Sequence, residues 1–131
     1  DSGIVVFGMP EWYTFKDLDY EYLMNLNVHM PNSGVLSYND SLTDYFVNQY
    51  QEITGTDPSP RFSFSGFDVT FYFLSQLNKY GGISSDLYLE PMNLLNLNFD
   101  FNYLRNEDNG SRNQAVKIIK YEDLEIIRVD E

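Results

Sequence analysis

Apolar residues fall at helical spacing between short β-branched runs in the first two thirds of the chain, and in alternation towards its end. Ile4-Val5-Val6-Phe7 is a continuous apolar run closed by Gly8, which predicts a strand buried on both faces, as in parallel sheets. Met9 to Phe15 then reads as a loop at that strand's carboxyl end. Leu18, Tyr22, Leu23 and Leu26 predict a short helix from about Asp17 to Asn25, and Val28-His29-Met30 a second short strand closed by Pro31-Asn32-Ser33-Gly34. The clearest helix follows. Ser41-Leu42-Thr43-Asp44 is a capping signal, Leu42, Tyr45, Phe46, Tyr50 and Ile53 form one apolar stripe, and Gly55 ends it. After the rigid turn Thr56-Asp57-Pro58-Ser59-Pro60, a helix from about Ser65 to Tyr80 carries Phe67, Val69, Phe71, Tyr72, Phe73, Leu74 and Leu77 around most of its circumference. That distribution predicts a buried helix, terminated by Gly81-Gly82.

Beyond Gly82 the texture changes. Asp86 to Asn98 is rich in Leu and Asn with Pro91 inside, and reads as a short helix and then a loop. Phe99 to Tyr103 alternates like a half-exposed strand, and Asn106 to Gly110 is a turn. Ala115 to Tyr121 and Glu125 to Val129 are strands joined at Glu122-Asp123 as a hairpin. The fold class expected is α/β, a mostly parallel sheet with flanking helices and an antiparallel, β-rich C-terminal part, in a single domain over residues 1–131.

Composition narrows the function. Twenty Asp+Glu against eight Lys+Arg give −12, a charge that repels phosphate backbones and anionic lipid and so argues against nucleic-acid partners. Absence of cysteine removes disulfides, thiolate chemistry and zinc–cysteine sites. No apolar run approaches the roughly 20 residues that span a bilayer, so membrane insertion is not expected. No signal peptide is read at the start, and a chain opening almost directly on a strand suits an excised fragment.

Tyr45-Phe46-Val47-Asn48-Gln49-Tyr50, followed by Pro60 and by Gly66-Phe67-Asp68, resembles the Phe-x-x-x-Tyr, Pro, Gly-Tyr-Asp passage of type I periplasmic binding proteins, the leucine-binding and receptor-ligand-binding families. The likeness covers about Ile4 to Tyr80, and the tail more loosely resembles Bacteroidetes members that carry a LysM module in front. It implies the C-terminal portion of a two-lobe fold in a periplasmic or extracytoplasmic protein, whose lobes close on an amino acid or similar small molecule. By that resemblance Glu11, in Gly8-Met9-Pro10-Glu11, is placed to grip a ligand ammonium, with Trp12 and Tyr13 as an apolar wall. Phe67 stands where the family often has tyrosine. The alternative is a structural or protein-interaction module of a wall-associated assembly that has lost its ligand.

The remaining candidates have plainer readings. Trp12 also reads as packing at the loop base, and the lone His29 as a structural histidine in an apolar strand. Asp17, Asp19 and Glu21 faintly resemble a calcium loop but lack its Gly and terminal Glu, and a solvated helix start explains them. Asp68 is expected to cap its own helix. With no nucleophile–base pattern and no phosphate-binding glycine motif, no enzyme, cofactor or metal is expected. Because the Phe67–Leu77 helix would normally pack on elements missing from the chain, a homodimer through exposed apolar surface is expected.

Overall fold

The computed structural model describes residues 4–82, 89–101, 111–123 and 125–129. In chain order its elements are strand β1 (Val6–Phe7), a 3-10 turn (Pro10–Thr14), helix α1 (Tyr20–Asn25), strand β2 (Val28–Asn32), helices α2 (Ser41–Thr54) and α3 (Ser63–Tyr80), and strands β3 (Met92–Asn93), β4 (Asn98–Phe99), β5 (Lys117–Glu122) and β6 (Glu125–Arg128). They gather into two compact units. The first takes the chain up to Ser33 and again from Val116, and the second is the continuous stretch Gly34–Ala115.

The first unit is a four-stranded sheet in the order β1-β2-β5-β6, with α1 against β5. Val28, Met30 and Ile119 are its buried apolar centre, joined by Leu23 of α1 and by the contact of Tyr20 with Tyr121 at 5.1 Å. Asp19 starts α1 by accepting the Glu21 N–H, which accounts for the alternating acids there as helix-start chemistry. Asn27, at φ 48°, turns the chain into β2, and Asp123, at φ 51°, turns β5 into β6 as a tight hairpin requires. Pro31 is accommodated inside β2. His29 gives its carbonyl to the Gly8 N–H, and strand residues two apart point the same way, so the Pro31 nitrogen faces the β1 side beyond the last residue β1 pairs.

The sheet corrects the expectation of mostly parallel strands. It is mixed, with β1–β2 parallel and both β2–β5 and β5–β6 antiparallel. Nor is the Ile4–Phe7 run buried on both faces, for Ile4 is 73% and Phe7 64% exposed. β1 is a two-residue edge strand with β2 as its neighbour, and an edge strand has one flank covered at most. The hairpin at Glu122-Asp123 lies where the alternation places it, and the β-rich end is antiparallel as expected.

In the second unit α2 begins at Asp40, whose carboxylate accepts the Leu42 N–H, and ends at Gly55, which takes φ 71° and donates to the Gln51 carbonyl. α3 ends in the same way on Gly81. Its buried residues are Phe64, Asp68, Tyr72 and Gln76, one row at four-residue steps. Leu89 to Phe101 lies along that row. Tyr72, Leu89 and Phe99 form the core cluster, with Phe73, Met92, Leu94, Leu97 and Phe101 packed around it and Tyr72 stacked on Phe99 at 4.4 Å. Strand β4 is therefore buried at Phe99, where a half-exposed strand was expected, and the expected helix start at Asp86 and the turn at 106–110 fall outside the described residues.

α3 itself departs most from expectation. It is not a buried helix: Phe67, Val69, Phe71, Leu74 and Leu77 are exposed while Asp68 and Gln76 are inside. The reason is the partner it packs on. The 89–97 segment is mostly irregular backbone, whose N–H and C=O groups need polar partners once covered. Gln76 accepts the Glu90 N–H, the Tyr72 hydroxyl donates to the Glu90 carbonyl, and Asp68 accepts from Leu95, Asn96 and Leu97.

Candidate functional site

Two places collect the residues of interest, one in each unit. In the first, Pro10 opens the 3-10 turn directly after β1 and the Met9 carbonyl accepts the Trp12 N–H at 3.1 Å. Trp12 folds back over the strand end. A Cβ placed on Gly8 would lie 2.6 Å from indole Cε3 and 3.1 Å from Met30 Cγ, so only glycine leaves room for the ring there. Trp12 is half-buried, Glu11 beside it is exposed, and Tyr13 follows in the same turn. His29 is buried, with its ring Nδ1 donating to the Asn27 carbonyl at 2.8 Å and the Phe7 ring 5.8 Å away.

Phe67 belongs to the second unit. Its ring meets Phe46 of α2 at 4.9 Å and stacks on Phe71 at 5.6 Å. Phe46 also meets Phe64 at 4.8 Å, so it is the side chain through which α2 and α3 adjoin. Around this contact each helix carries three apolar residues on one face, Leu42, Phe46 and Ile53 on α2 with Gln49 among them, and Phe67, Phe71 and Leu74 on α3 before the polar Asn78. Such spacing keeps side chains in one ridge along a helix. Leu42, Ile53, Phe71 and Leu74 are exposed, Ile53 at 82%, as are neighbouring Tyr45 and Leu77.

Asp68 lies on the adjoining, loop-facing row of α3 and is fully buried. It is not a cap of its own helix. Its carboxylate receives the backbone N–H groups of Leu95 at 3.2 Å, Asn96 at 2.7 Å and Leu97 at 2.8 Å, and Ser65 holds the Asn96 side chain at 3.0 Å. α3 begins at Ser63, so Asp68 already sits in its second turn, where helix N–H groups are satisfied within the helix. Three converging amides make this a structural anion site filled by the chain's own carboxylate.

The electrostatic setting of the ridge is one-sided. Between Asp40 and Asn78 the sequence has, besides the buried Asp68, the four carboxylates Asp40, Asp44, Glu52 and Asp57 and one cation, Arg61, which lies over the Phe62 ring at 5.4 Å. Beyond it Lys79 bonds Glu90. The Glu90 carboxylate raises the Lys79 ammonium above its ordinary range, and Lys79 holds Glu90 below the usual carboxylate range. Both groups are solvated, so the pair contributes little to stability.

Among the described residues no helix is long and apolar enough to cross a membrane, and no three His, Cys, Asp or Glu side chains gather as metal ligands. The exposed ridge was legible only as unpartnered apolar surface on the Phe67–Leu77 helix. The apolar stripe of α2 carries no sign in the sequence of which way it faces, and the fully buried α2 residue is Thr43. No protein-family model, no curated protein and no solved structure matches the chain, so its likeness to type I periplasmic binding proteins rests on the residues quoted above.

Proposed function

We propose that the chain is a non-catalytic interaction module that docks an α-helical segment of a partner protein along the α2–α3 ridge. The observation that carries this reading is the exposed pair of ridges adjoining at Phe46 and Phe67. Helix-in-groove recognition uses apolar anchors at these spacings, and such side chains stay exposed in a soluble fold at the risk of aggregation. Asp68, Tyr72 and Gln76 of α3 satisfy the loop they cover, which leaves Phe67, Phe71 and Leu74 for a partner. The test is a selection of displayed helical peptides on the immobilised chain, followed by affinity measurements against Phe71→Asp and Ile53→Asp. Both positions are exposed, so the variants should keep the parent's far-UV circular dichroism. Burying a Phe or Ile is worth about 1.5–3 kcal/mol, so each substitution should weaken binding about 10- to 100-fold. Peptides that bind both variants as tightly as the parent, or a selection that yields none, would sink the reading.

A second reading, small-molecule recognition in a cell-envelope protein, is favoured by one observation: Glu11 is exposed at the carboxyl end of the parallel pair β1–β2, the end at which α/β folds bind ligands. Trp12, the chain's single tryptophan, stands next to it and reports on the turn directly. Titration with free amino acids should then shift Trp12 emission, and Glu11→Gln should weaken the response about tenfold or more. Emission that stays constant across the amino acids would dismiss this ligand class.

A further inference from the structure

Resting on the docking reading, we infer that the occupant of the ridge is a cationic amphipathic helix, apolar along one stripe and flanked by Lys or Arg. Shape asks for the apolar stripe, and charge selects what lies beside it. α2 contains no Lys or Arg, and Glu52, one turn after Asn48 and next to Ile53, is exposed at the ridge margin. Asp40 and Asp44 stand at the α2 start, and Asp57 follows its end, where it accepts from Gln51. The two nearby cations are already engaged, Arg61 over Phe62 and Lys79 with Glu90. A partner helix with acidic flanks would meet like charge along α2.

The same argument separates this occupant from a second copy of the chain. A dimer across the ridge would set Glu52 and the acidic ends of α2 against their own copies, in molecules that each carry −12. Opposite charge on a partner removes that opposition, raises the encounter rate and suppresses wrong partners. Flanking charge of this kind is exposed, so its effect must fade as salt shortens the Debye length from about 10 Å at 0.1 M to about 3 Å at 1 M.

The experiment uses two synthetic peptides of about 15 residues, long enough to form a helix. Both carry the same leucine stripe, one with lysines on its flanks and the other with glutamates. Affinities are measured by fluorescence anisotropy for the parent chain, Phe71→Asp and Ile53→Asp, at low and high salt, with sedimentation velocity of the chain alone. The Leu/Lys peptide should bind at least about tenfold more tightly than the Leu/Glu peptide. That preference should shrink in high salt, and Phe71→Asp should lower the affinity for Leu/Lys measured in high salt, where the charge it adds is screened. Equal binding of both peptides, lost in the ridge variants, would overturn the charge inference and leave helix docking standing. Leu/Lys binding indifferent to both variants would place the peptide elsewhere on the acidic surface and overturn both. If neither peptide binds and the chain forms a dimer that Ile53→Asp dissolves, the occupant is a second copy and the inference fails. A monomer that binds neither peptide overturns the inference and the docking reading together.

Discussion

Gly34→Ala is expected to lower the melting temperature by about 15 °C or more, the consequence of roughly 3 kcal/mol or more in a unit of this size. Gly34 bridges Leu97, and a methyl group there would overlap the Asn96 carbonyl oxygen while lying 2.9 Å from its carbon and 3.1 Å from the Leu97 Cα. All three atoms are backbone, so no side-chain rotation relieves the collision. Asn96 and Leu97 are also the residues whose N–H groups point into Asp68, so the loop cannot retreat without breaking those bonds. Gly66→Ala is the matched control. Its Cβ would meet nothing within 4 Å, and it lies inside α3, where alanine is favoured over glycine by up to about 1 kcal/mol. Thermal unfolding followed by far-UV circular dichroism decides the matter. A Gly34→Ala chain melting within two or three degrees of the parent (well under about 1 kcal/mol) would show that the Asn96 approach is not tight.

Asp68→Ala should cost about 3–5 kcal/mol, since each buried N–H left without an acceptor costs about 1–3 kcal/mol and three would lose theirs. Three amides that now converge on the carboxylate would lose their acceptor, two of them from bonds of 2.7 and 2.8 Å. Asp68→Asn offers no full rescue. Its single carbonyl oxygen can accept, but its amide NH2 would face another N–H donor. Hydrogen exchange localises the effect: protection of the Leu95, Asn96 and Leu97 amides should fall in both variants, while the α2 amides keep theirs until global unfolding. Unchanged protection at those three positions would mean that the carboxylate is dispensable to the loop.

The sequence marks its elements better than their surroundings. α2 starts and ends close to where its local devices stand, although the cap is Asp40, one residue before the Ser41–Asp44 signal, and the left-handed Gly55 closes it as expected. The β5–β6 hairpin is local in the same sense, turning at Asp123. Sheet order is not local. β2 takes β5 as its antiparallel neighbour across a long stretch of chain, and nothing in Val28-His29-Met30 names that partner. The orientation of α3 escapes sequence reading for a related reason. Apolar residues around a helix suggest depth, but which side faces inward depends on what lies against it, and an irregular loop selects Asp68 and Gln76 over Phe67 and Phe71. Of the candidate residues, Glu11, Trp12 and Tyr13 follow β1 in one turn as the sequence order demands. Phe67 acquires its meaning from Phe46, a contact that a stripe on either helix alone does not show.

The interrupted course of the first unit has a consequence during synthesis. Asn32 and Lys117 face each other across β2 and β5, so the chain leaves the sheet and returns to it at one end of the same ladder. Between them Gly34–Ala115 is the second unit, which is continuous and can reach its packed state as soon as it clears the ribosome. β2 has no such freedom. Its antiparallel side waits, unpaired, until Lys117 and the residues after it have been made, and through that interval Val28, Met30 and the exposed run at Ile4 are the segments a chaperone would have to shield.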